Sequence, residues 1–146
     1  MPKAPRECSV HRLVADVAPL SGGKVLLVRY KDVKPYDGQK GWFLPDDFLA
    51  LGEHPQDAAK RILREQAGIA AEDLALSHIE SFTGGPSGAW HLIFHFRASL
   101  KKAPSVTAGK NVADAQWFPL EKMPARKDVS HGGWAIDVLE AMLGEK

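Results

Sequence analysis

The chain has 146 residues, 45% hydrophobic and 25% charged. That is the composition of one folded domain and excludes a disordered, fibrous or collagen-like protein. Nineteen basic side chains against eighteen acidic ones leave a net charge of +1, without the basic excess expected of a binder of nucleic-acid polymers. No apolar run approaches about 18 residues, so no membrane span is expected. The single cysteine, Cys8, excludes an internal disulfide framework and a Cys-rich zinc site.

Residues 1–8 read as a loose tail without the apolar core of a secretory signal. With the lone thiol, this predicts a cytoplasmic protein with one domain over 9–146. From Ser9 to Leu20 the chain is β-like, Ser21-Gly22-Gly23 is a turn, and Lys24–Tyr30 is a second strand, so a hairpin is expected. A polar loop, Lys31–Lys40, leads to the short apolar strand Trp42-Phe43-Leu44, stopped by Pro45.

The clearest helix spans Pro55 to Ala67. Pro55 suits its first turn and Gly68 its C-terminal cap, while Ala58, Ala59, Ile62, Leu63 and Ala67 recur at the helical period of about 100°. Leu74–Phe82 and Ala89–Ala98 read as strands joined through Gly84-Gly85-Pro86-Ser87-Gly88, and Ala115–Phe118 as another. Ser130 is the expected N-cap of a last helix, His131 to Leu143, whose Ala135, Val138, Leu139 and Met142 share one face. This order predicts an α/β protein with a mixed sheet packed between helices.

Residues 42–69 carry a motif: Trp42, Leu44 and Pro45, then Gly52-Glu53, Arg61, Leu63, Glu65, Gly68 and Ile69. The stretch resembles the box of the Nudix hydrolase superfamily, G-x5-E-x7-R-E-U-x-E-E-x-G-U. Val25–Arg29 and Ala115–Pro124 resemble the segments flanking it. The resemblance implies an α/β/α sandwich with a mixed sheet. It also implies hydrolysis of a nucleoside diphosphate linked to another moiety, by water attack on phosphorus with Mg²⁺ or Mn²⁺. Such a cation needs several hard oxygen ligands, which the family's box helix supplies from the positions of 62, 65 and 66.

Here those positions hold Ile62, Glu65 and Gln66, so one carboxylate remains of three. Ala50 and Asn111 stand where acidic residues often occur in the family, and Asp46 and Asp47 replace two glycines. Ile62 is expected to pack. Glu65 reads equally as solvated surface or as the surviving ligand. The resemblance gives Glu65 and Arg61 as catalytic residues and Glu65 and Glu53 as metal ligands, and Asp47 is read as a further ligand that, with Asp46, partly replaces the lost ones. An ion pair or loop anchor is the plainer reading for Glu53 and Arg61, and a turn for Asp46-Asp47.

His91 and His95 share one facing of a strand, either as a polar face or as a cleft wall touching ligand. The opposite facing, Trp90, Leu92, Phe94 and Phe96, is expected in the core. Arg29, with Lys31, Lys34 and Lys40, reads as scattered surface charge or as a site for an anionic ligand. Asp128, Ser130 and His131 do not make a triad by adjacency alone. Two functions stay open: a weakened or altered hydrolase of a small nucleotide-type ligand, and a silent ligand-binding or interaction domain. A homodimer is compatible with either.

Overall fold

The computed structural model describes residues 11–84 and 88–144. The tail 1–8, with Cys8, and Gly85-Pro86-Ser87 of the expected loop lie outside the described residues. The strands are β1 (His11–Ser21), β2 (Lys24–Tyr30), β3 (Asp46–Phe48), β4 (Leu74–Gly84), β5 (Ala89–Ser99) and β6 (Val112–Pro119). The helices are α1 (Pro55–Ala67) and α2 (Ser130–Leu143), with single 3-10 turns at Lys34–Tyr36, Leu120–Lys122 and Arg126–Asp128.

One mixed sheet runs in the order β4-β5-β1-β2-β6, with β3 paired to β1 off that path. β1 lies parallel to β5 from His11 opposite Trp90 to Leu20 opposite Ser99. The expected hairpin exists only at its base, where Leu20 pairs with Val25 and Ser21 with Lys24. Beyond that base the strands part. β1 takes β3 as its neighbour, while Val28 of β2 exchanges backbone hydrogen bonds with Phe43 at 2.9 and 2.8 Å. The segment from Trp42 to Phe48 fills this split and forms one wall of a cleft.

Alternation along β2 sorts the two cores, because successive strand side chains face opposite ways. Leu26 packs with Ile62 and Leu63 of α1, with Val17 of β1 and with Phe96 of β5. Val25 and Leu27 pack with Leu44, Val138 and Leu139 on the α2 side. Each fully buried Leu, Ile or Val contributes about 1.5–3 kcal/mol, so both helices are held chiefly by these faces. The result is an α/β/α sandwich.

Helix α1 has the bounds its local signals predict. His54 Nδ1 accepts from the Gln56 amide at 3.0 Å, Pro55 opens the first turn, and Gly68 closes it with φ of 69°. Three expectations change. Trp42-Phe43 makes only isolated bridges, and the strand begins at Asp46, so Asp46 and Asp47 lie in β3 and not in a turn. Ser130 does not cap α2: its hydroxyl is buried without a hydrogen-bond partner among the described residues. His131, Gly132 and Gly133 all have positive φ, so regular helix starts at Trp134. Gly133 permits this entry because a Cβ there would meet the Arg126 side chain at 2.8 Å. Finally, Trp90 is 40% exposed, at the tip of the β4–β5 ladder opposite Thr83. Along that facing, only Phe94 and Phe96 reach the α1 core.

Candidate functional site

Arg61, midway along α1, organises the loop before the helix. Its Nε donates to Glu53 Oε2 at 2.9 Å and its Nη2 to Glu53 Oε1 at 3.1 Å. Nη1 donates to Asp47 Oδ2 at 3.0 Å and to Glu65 Oε1 at 2.9 Å. Nη2 also reaches the carbonyl of Phe48 at 2.9 Å. Hydrogen bonding to Arg61 holds the Glu53 carboxyl below the ordinary glutamate range, and the three carboxylates keep the guanidinium charged. The planar fork suits this task, since it serves several acceptors from fixed directions.

Ile62, beside Arg61 in sequence, is fully buried in the α1 core. Gln66, one turn on, is buried and committed: its Oε1 accepts from the Tyr30 hydroxyl at 2.8 Å. Its Nε2 donates to the Asp46 carbonyl, also at 2.8 Å. The Asp46 amide donates to the Tyr30 hydroxyl at 3.1 Å. Both ends of the Asp46 peptide are thus gripped by side chains.

Above this support lies a cavity of about 570 Å³, lined by Tyr36, Phe43, Asp46, Asp47, Phe48, Glu80, Phe82, His91, His131 and Trp134, among others. That size and an apolar lining with a few polar groups are typical of small-ligand sites. Tyr36 stacks on Tyr30 at 3.8 Å between ring centroids. Phe82 stacks on His91 at 4.7 Å. Arg12 and His131 also line the cavity, each meeting Asp37 at 3.3 and 3.4 Å.

Beneath the cavity lies a buried ionic bridge. His95 Nδ1 is 2.7 Å from Asp16 Oδ1 and Nε2 is 2.6 Å from Glu80 Oε1. A neutral imidazole has one donor, so serving two carboxylates requires imidazolium. Burial opposes that charge, but the hydrogen bonds to Asp16 and Glu80 outweigh it and push the His95 pKa up to about 9. The hydrogen bond from His95 holds Glu80 below its usual range, whereas burial pushes Asp16 up against the pull of His95. The Trp134 indole N–H donates to the same Glu80 oxygen at 3.2 Å, which ties the start of regular helix in α2 to the sheet.

The structure gathers Glu53, Arg61, Glu65 and Asp47 into one cluster and places His91 in the cavity wall. It does not bring Arg29 there: that guanidinium lies over the Trp42 ring, 4.2 Å from its centroid. His95 is fully buried below the cavity. His131 faces Asp37, not Asp128. Asn111, with φ of 64°, clips Asp32 through two hydrogen bonds. Sequence reasoning passed over Tyr36, Phe48, Phe82, Trp134, Asp16 and Glu80. Of these, Asp16 carried a signal, as a lone carboxylate in the apolar run Val14-Ala15-Asp16-Val17-Ala18.

The oxygen donors of this cluster do not fit a resident octahedral cation. Both Glu53 oxygens, Asp47 Oδ2 and Glu65 Oε1 face Arg61. Asp47 Oδ1 accepts from the Phe48 amide at 2.8 Å. A guanidinium stands among the carboxylates that Mg²⁺ or Mn²⁺ would require.

A mixed sheet between two helices, with an arginine-anchored loop and helix beside an aromatic cleft, defines the class as a Nudix-type α/β/α sandwich. The family model of the NUDIX domain matches residues 10–137, and the chain belongs to this family. Among solved structures, it is similar to the MutT NUDIX hydrolase from Burkholderia pseudomallei (22% identity, TM-score 0.73), covering 89% of this chain and 96% of that one. It is also similar to the NUDIX domain of Shewanella oneidensis NrtR complexed with ADP ribose (19%, TM-score 0.72, covering 97% and 94%). A third likeness is the MutT/nudix family protein from Enterococcus faecalis (23%, TM-score 0.67), where 80% of this chain spans 46% of that one. At these identities the likeness establishes the fold. No curated protein matches the chain.

Proposed function

We propose that this protein binds a small nucleotide-type ligand, a nucleoside diphosphate linked to another moiety, and that hydrolysis is weak or altered. The observation carrying this reading is the fate of the two substituted box positions. Ile62 is sealed in the core, and Gln66 spends both ends of its amide on Tyr30 and Asp46. The box is degenerate in this reading, and Arg61 with Asp47, Glu53 and Glu65 anchors a loop instead of forming a standing metal centre. The aromatic walls suit a flat base. Arg12 and His131, whose contacts to Asp37 are long, suit the diphosphate. The protein acts in the cytoplasm as one domain over 9–146.

Calorimetric titration with ADP ribose and nucleoside diphosphates tests the binding. A hydrolysis screen over the same compounds with Mg²⁺ or Mn²⁺ tests the chemistry. Saturable binding is expected, with turnover far below the ~1–10³ s⁻¹ of ordinary enzymes. Turnover within that range would overturn the weak-hydrolase reading, and no saturation by any compound would overturn the ligand class.

A further inference from the structure

Asp46 is the least explained polar group in the cleft. It lines the cavity yet is 8% exposed. No hydrogen bond among the described residues reaches its carboxyl oxygens, although its backbone N–H and C=O are both engaged by side chains. In the β1–β3 register it lies opposite Asp16. Two carboxyls facing across strands repel when both are ionised. Asp16 has His95 against it at 2.7 Å; Asp46 has no such partner. Burial, then Asp16, push the Asp46 carboxyl well above the usual carboxylate range. The carboxyl faces the cavity, where a bound donor can take the place of water. This arrangement has no evident role in the fold, since β3 is held to β1 through its backbone.

Resting on the nucleotide-binding reading above, we infer that Asp46 is a specificity-determining residue that accepts a hydrogen bond from the exocyclic amine of an amino-substituted purine held among Tyr36, Phe48, Phe82 and Trp134. A carboxyl group keeps an acceptor oxygen whether or not it carries a proton. An amine N–H is therefore served in either state. The clamp of Gln66 and Tyr30 on the Asp46 peptide holds that oxygen in place before the ligand arrives, which lowers the ordering cost of binding. The amide at position 66 thereby has a positive role: it aims the residue that reads the base. An amine meets a waiting acceptor, whereas a base bearing only hydrogen at the same place leaves that acceptor without a partner.

The test compares ADP with purine riboside 5′-diphosphate, which replaces the amine by hydrogen, using calorimetry on the full chain. The wild type is expected to bind ADP at least about tenfold more tightly, the value of one well-made hydrogen bond. Asp46→Ala should bring the two affinities together by weakening ADP. Asp46→Asn, which keeps the shape and one acceptor oxygen, should retain the preference for ADP. Circular dichroism checks each variant's fold, and the wild-type comparison stands even if Asp46→Ala fails to fold. Equal wild-type affinities would overturn this inference while leaving nucleotide binding intact. So would an undiminished ADP preference in Asp46→Ala, or loss of that preference in a folded Asp46→Asn. Failure of both diphosphates to saturate the wild type, alongside failure of ADP ribose, would overturn the nucleotide-binding reading and this inference with it.

Discussion

The side-chain amide of Gln66 donates to the backbone carbonyl of Asp46 at 2.8 Å, across twenty residues of sequence. Gln66→Glu replaces that donor with an oxygen facing another oxygen, in a buried site. The variant should lose about 2–3 kcal/mol of stability, read by urea unfolding at pH 8. The loss should shrink near pH 5, where a protonated glutamate regains a donor. Tyr30→Phe, which removes the hydroxyl shared by Gln66 and the Asp46 amide, should cost about 1–2 kcal/mol.

Ile62 has no solvent exposure and touches only the apolar α1 core. Ile62→Val should cost about 0.5–1.5 kcal/mol. Ile62→Glu buries a carboxyl with no partner and should cost more than about 3 kcal/mol, visible as a large fall in thermal midpoint. A carboxylate placed here therefore loses the fold before it gains a metal ligand. A well-folded Ile62→Glu variant would contradict this packing.

Arg61 joins α1 to the chain before it through the Asp47 and Glu53 carboxylates and the Phe48 carbonyl, and also holds Glu65 within its own helix. Arg61→Ala leaves those carboxylates close together with no cation and should cost about 2–3 kcal/mol. Amide hydrogen exchange should rise selectively over 46–53. Arg61→Lys should recover less than half of this, because an ammonium cannot serve the fork's acceptors together.

The His95 bridge sets a pH window. Its folded pKa of about 9 lies above the ordinary histidine value of 6.5. The stabilisation is therefore fully present below about pH 6.5 and is lost as pH rises through 9. Glu80 is shifted down, so its contribution is present above its ordinary value of 4.5 and is lost as pH falls below that. Urea midpoints measured from pH 4 to 10 should peak between these limits. His95→Gln should flatten the alkaline limb, and His95→Ala, which strands two carboxylates, should cost about 3–5 kcal/mol.

What could be read in the sequence was local. Pro55, the apolar stripe and Gly68 sit within one helix's length of each other, so α1 was legible to the residue. β2 was equally legible from its continuous Val-Leu run. The split of the sheet was not, because Pro45 and Phe43 find Val17 and Val28 only in three dimensions. The arginine-centred cluster was half legible: the motif spacing named Glu53, Arg61 and Glu65 and suggested an ion pair, but nothing local told that Asp47 and Glu65 would also face Arg61. The His95 bridge joins residues 79 and 15 positions apart. Strand facing alone made His95 look like a wall residue, when it lies under the floor.

The parallel pairing of β1 with β5 has a kinetic consequence. Every contact in that ladder closes a loop of 79 residues, the separation of Asp16 and His95. Helix α1 can form early from neighbours alone, but the cleft floor must wait for this distant closure, which places folding in the slow, millisecond-to-second regime of non-local topologies. During synthesis, a nascent chain ending before Ala89 still lacks β5, and with it the His95 of the floor. The cavity is therefore complete only after β5 has emerged, late in the life of the growing polypeptide.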